Sequence, residues 1–120
     1  MISRHALIAC GWIALGVWGS AEALAGTWST ENSMPTARSA PASGIINGTV
    51  FIAGGSIADG TPTAALEAFN PMTNGWTSRT SMSTARSDLG AGVVDGVLYA
   101  VGGCAGFEPC GLDVVEAYDP

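Results

Sequence analysis

The residues best equipped for chemistry in this chain come in pairs. Arg38 lies in Ser33-Met34-Pro35-Thr36-Ala37-Arg38-Ser39, and Arg86 lies in Ser81-Met82-Ser83-Thr84-Ala85-Arg86-Ser87. The second stretch follows 48 positions after the first and keeps six of its seven residues. A guanidinium fork can give two parallel hydrogen bonds to a carboxylate, so both arginines are candidates for holding an acidic ligand. Glu67 and Glu116 stand 49 positions apart. General acid/base work would need them to face each other across a cleft. Copies of one repeat do not face each other in this way, and a carboxylate accepting a hydrogen bond from a nearby strand or loop is the simpler reading. Ser39 and Ser87 have no histidine partner other than His5, at the extreme N-terminus, which does not support a Ser-His-Asp arrangement. Gly54-Gly55-Ser56 and Gly102-Gly103-Cys104 lack the Lys-Ser/Thr ending of a phosphate loop.

Composition and the N-terminus bear on compartment. Arg4 is followed by an apolar run from Ala6 to Trp18 and then by Ala23-Leu24-Ala25. This is the order of a signal peptide, predicted to be helical and to occupy residues 1–25, with cleavage before Gly26. An uncleaved anchor and a lipoprotein at Cys10 are the alternatives. The remainder is expected to be exported, periplasmic or extracellular, and free of the membrane. It keeps Cys104 and Cys110, and an even pair in an exported chain points to a disulfide, with two reduced thiols as the alternative. Two sulfurs are too few for a zinc site, and no cofactor is expected. The chain has no lysine and a net charge of −6, which disfavours nucleic acid as a partner.

The elements that position these residues are short β runs separated by turn chemistry, an all-β pattern. Asn47-Gly48 and Asp95-Gly96 suit two-residue type I′ hairpin turns. Before each turn lies a small apolar strand, residues 39–46 and 89–94. After each comes a denser one, residues 49–53 and 97–101, ending in Gly54-Gly55 and Gly102-Gly103. A variable loop follows, then a third strand, residues 65–69 and 114–118, stopped by Asn70-Pro71 and Asp119-Pro120. Trp76 marks a fourth strand at residues 75–78, and Trp28, at the same repeat position, marks an equivalent at residues 26–29. The tryptophans could stack on sugars, but packing between units is the stronger expectation. The unit is thus a four-stranded antiparallel meander of about 48 residues, a period typical of propeller blades.

Met82 to Ser87, then Asp95-Gly-x-Leu-Tyr-x-Val-Gly-Gly103, then Val115-Glu116-Ala117-Tyr118-Asp119-Pro120 resemble the kelch repeat. The first copy drifts, with Phe51 in place of the tyrosine and Phe69-Asn70-Pro71 in place of Tyr-Asp-Pro. The resemblance implies kelch blades: residues 26–35 as the outer strand of a split blade, 36–80 as repeat 1, and 81–120 as repeat 2 without its own outer strand. Gly54, Gly55, Glu67, Trp76, Gly102, Gly103, Glu116, Tyr118 and Trp28 are then motif residues. In kelch propellers arginines placed as Arg38 and Arg86 can face the channel mouth and hold acidic groups; alternatively they bond carbonyls of the neighbouring blade. About two blades do not close a ring. A truncated reading frame, association with other copies, and low stability alone are the readings left open. The implied function is a non-catalytic module binding protein or glycan through the variable loops. The alternative is a fragment of an exported sugar-active enzyme such as a sialic-acid mutarotase; a copper oxidase is disfavoured for lack of histidines.

Overall fold

Two tight turns set the register of the whole molecule. Asn47 and Gly48 both hold positive φ (48° and 77°), and Asp95 and Gly96 repeat the geometry (50° and 78°). Type I′ turns match the right-handed twist of the strands they join, which is why these dipeptides start hairpins. In a computed structural model that describes residues 26–120, the first turn joins β1 (Ala42–Ile46) to β2 (Thr49–Ala53). The second joins β5 (Gly90–Val94) to β6 (Val97–Val101). Ile46 pairs with Thr49 and Val94 with Val97, so the two hairpins share one register.

Each hairpin gains a third antiparallel strand. β3 (Leu66–Asn70) pairs with β2, and β7 (Val115–Tyr118) pairs with β6. β4 (Gly75–Arg79) completes the first sheet, in the order β1-β2-β3-β4, while the second runs β5-β6-β7. The two dense runs match expectation residue for residue. The other strands shift at their ends; β1, for instance, begins at Ala42 because Ser39 instead bridges to Ser56.

The sheets stack face to face. Ile46, Phe51, Ala53, Leu66 and Ala68 from the first bury against Leu98 of the second, with Met82, Val93 and Tyr118 at the margin. Phe51 and Tyr118 bring their rings to 5.7 Å across this seam. The glycine pairs permit close backbone approach there. Gly54 and Gly102 hold φ near 67°, Gly55 and Gly103 near 105°, and a Cβ on Gly54 would stand 2.5 Å from the Arg86 carbonyl oxygen. No other residue type adopts these angles without strain.

Two expectations fail. Residues 26–35 form no strand, and Trp28 is 99% exposed instead of packed between units. A strand forms only where a neighbour takes up its backbone hydrogen bonds. Trp76 does sit on β4, but only half-buried: its ring lies 5.0 Å from that of Phe69, and its Nε1–H donates to the Asn32 carbonyl at 2.8 Å. The reason is position: β4 is the outer edge of the first sheet, and the residues of that sheet that bury against the second come from β1, β2 and β3. The signal-peptide reading concerns residues outside those described.

Candidate functional site

Both guanidinium groups turn into their own sheets. Arg38 donates Nη1–H to the carbonyls of Gly54 (3.2 Å) and Ala65 (3.0 Å), and Nη2–H to the carboxylate of Glu67. Arg86 repeats this with Gly102 (2.9 Å), Val114 (2.9 Å) and the Glu116 carboxylate (3.1 Å), and its bond to the Ala100 carbonyl (3.3 Å) matches that of Arg38 to the Ile52 carbonyl (3.5 Å). Even the omission repeats: Nε of each lacks a hydrogen-bond partner among the described residues. Side-chain exposure is 0% for both arginines. The carbonyls they hold lie where strands two and three diverge into the variable loop, so each guanidinium buckles a loop shut at its base. The expectation that they bond the neighbouring blade is corrected, because the side chains serve their own sheet. Contacts with the other repeat come from the backbone, with Gly55 N–H donating to the Arg86 carbonyl (2.9 Å) and Asp88 N–H to that of Ala40 (3.0 Å).

The glutamates are held from the other side by residues of the doubled stretch, through different groups in the two copies. Thr36 Oγ1 donates to Glu67 at 3.3 Å. Glu116 accepts from Ser83 N–H (2.6 Å), Ser83 Oγ (2.8 Å) and Thr84 N–H (3.2 Å). Burial, the largest single influence on Glu116, pulls its pKa up. The bonds from Ser83 and Thr84 and the Arg86 charge outweigh it and hold the carboxyl below the ordinary glutamate value. Burial, opposed by Glu67, draws Arg38 below the ordinary arginine value. Sequence reading missed these partners: Thr36 and Thr84 belong to the doubled stretch, but Thr84 gives a backbone N–H, and the hydroxyl on Glu116 is that of Ser83, the one position where the two copies differ. Glu116 also borders a cleft of about 130 Å³ between the sheets, with Leu66, Met82, Leu98 and Tyr118. Its oxygens are already engaged there, which leaves it poorly placed for proton transfer.

The unrepeated residues gather elsewhere. The β2–β3 loop folds on itself: Ile57 N–H donates to the Thr61 carbonyl (3.0 Å), and Asp59 accepts from Thr61 N–H (2.9 Å). The hydrogen bonds from Thr61 lower the pKa of Asp59. The β6–β7 loop is closed by a Cys104–Cys110 disulfide. Cys104 is tied to Ser87 by two backbone bonds of 2.9 and 2.8 Å, beside the buried Arg86. Glu108 accepts from Cys110 N–H at 2.9 Å. The two loops meet, since a Cβ on Gly106 would stand 3.0 Å from the Pro62 ring. Phe107 is 75% exposed, and Ile57 is exposed on the neighbouring loop. Arg38 and Arg86, grouped with a ligand in the sequence reading, thus lie beneath these loops.

Among the described residues no group of three or more His, Cys, Asp or Glu side chains could hold a metal ion, and no helix is long and apolar enough to cross a membrane. No curated protein matches the chain. A solved structure titled "Structure of YjhT" matches with a TM-score of 0.61 at 22% identity, over 67% of this chain and 25% of that one. The matched part therefore spans about a quarter of that protein's length. The Kelch motif matches twice, over residues 37–83 and 85–120, one match for each sheet. Two stacked antiparallel sheets, each buckled by its own arginine–glutamate pair, are blades of a partial propeller, and the chain belongs to the kelch-motif family.

Proposed function

We propose that this chain is an exported, non-catalytic kelch module that binds a protein or carbohydrate ligand through its two unrepeated loops. One observation carries the reading. The loops that differ between the copies meet at Gly106 and Pro62, and there they leave Phe107 exposed on a disulfide-closed frame. Specificity tends to reside on loops held by a rigid scaffold. An exposed aromatic ring offers a flat face to a sugar or an anchor to a protein pocket. Asp59 and Glu108 add negative charge to the two loops, which favours ligands with a basic or hydrogen-bond-donating edge. Export is supported by the disulfide, which persists in oxidising compartments. A sugar-active enzyme draws less support, since Glu67 and Glu116 are each held by an arginine.

The test is binding of the purified chain to an array of glycans and peptides, repeated with Phe107→Ala. Signal that falls about tenfold or more in the variant, the scale of an interface anchor, supports the reading. Equal signal from both proteins, or none from either, refutes it.

A further inference from the structure

The buried seam between the sheets has an unfilled counterpart on the second sheet. On the first sheet, β1, β2 and β3 turn one face toward β5 and β6. Advance each residue of that face by one repeat and the equivalent face of the second sheet appears, uncovered. Phe51 is 2% exposed while Tyr99, its counterpart, is 37% exposed. Leu66 is 3% exposed while Val115 is 59% exposed. Val94 and Val101, in place of buried Ile46 and Ala53, are exposed as well. An apolar sheet face of this kind is the signature of an association surface.

The glycine at the centre of each face identifies what fits there. A Cβ on Gly44 would come within 2.6 Å of Leu98 and 2.9 Å of Val93, so this glycine receives two side chains of the opposing sheet. A Cβ on its counterpart, Gly92, would meet nothing within 4 Å among the described residues. One repeat before Leu98 and Val93 stand Val50 and Ile45, and Ile45 is exposed on the far side of the first sheet. The chain therefore carries both halves of its own seam, unfilled, on opposite ends. β7 is also an open edge. A second copy would bring Trp28, spaced from its own β1 as Trp76 is spaced from β5.

We propose that the second sheet docks the first sheet of another copy of this chain, head to tail, with Val50 and Ile45 of the incoming copy seated on Gly92. Such an interface is heterologous, so it adds copies until the rotation closes. Closure at the usual four to eight blades takes roughly two to four copies.

The experiment is sedimentation of the purified chain across concentration, with three variants. The wild type associates beyond the monomer. Gly92→Leu adds a side chain where the single copy is empty, so the monomer keeps its circular dichroism and melt while association weakens by about tenfold or more. Ile45→Asp has the same effect from the other face. Met72→Asp, in the exposed β3–β4 turn, leaves association intact. Mixing Gly92→Leu with Ile45→Asp restores a dimer and nothing larger, because one sound face remains on each. A wild-type monomer at every concentration overturns the proposal. So does a Gly92→Leu protein that associates normally, or a mixture that stays monomeric.

Discussion

At the scale of the residue, Arg86 shows why a repeated polar side chain need not be a ligand site. It joins three carbonyls and one carboxylate from two strands and the loop ends beside them, with no exposure to solvent. Removing one partner of such a group strands the others, at a cost of about 3–5 kcal/mol. Lysine is a poor substitute, since a point charge cannot span the fork. We expect Arg86→Lys to lower the melting temperature nearly as far as Arg86→Ala; a lysine variant that melts like the wild type would show that charge alone suffices. The same cluster sets an acid limit. Glu116 binds a proton less readily in the folded chain than in the unfolded one. Its contribution is therefore complete above the ordinary glutamate range and is lost as pH falls through the depressed folded value. Melting temperature followed against pH should drop on that acid limb, and Glu116→Gln should flatten the drop while lowering stability at neutral pH.

At the scale of the element, the strands divide into those that make the seam and those that do not. Phe51 on β2 is buried between sheets, and Phe51→Ala should cost about 3–5 kcal/mol in chemical denaturation. Trp76 on β4 contributes one tilted ring contact and one hydrogen bond, so Trp76→Ala should cost about 1–2 kcal/mol. Equal costs would mean that β4 is part of the core. The disulfide closes a short loop with a separation of six residues. Replacing Cys104 and Cys110 with serine should lower stability by about 2 kcal/mol, and thiol labelling of the unreduced wild type should find neither sulfur free. Much of this was legible in the sequence because local chemistry decides it: Asn47-Gly48 and Asp95-Gly96 fix the turns, and the dense runs beside them fix β2 and β6. The fate of Trp28 was not legible. It matches Trp76 by position, but a strand also needs a neighbour to pair with, and sequence spacing does not supply one.

At the scale of the whole molecule, repetition and variation separate in space. The doubled residues Arg38, Glu67, Arg86 and Glu116 lie inside the blades and fasten strands, while the unmatched residues Ile57 and Phe107 lie outside on touching loops. The sequence could name both sets because one repeats and the other does not. It could not show that the arginines are sealed, because the carbonyls that seal them belong to backbone far along the chain. The claim that repeated residues build and unrepeated residues bind is tested most directly by one thermal scan of Arg86→Ala beside Phe107→Ala. We expect a fall of more than about 10 °C for Arg86→Ala. For Phe107→Ala we expect a change within about 4 °C, the scale of a surface site. An Arg86→Ala protein that melts with the wild type, or a Phe107→Ala protein that melts far below it, would contradict that division.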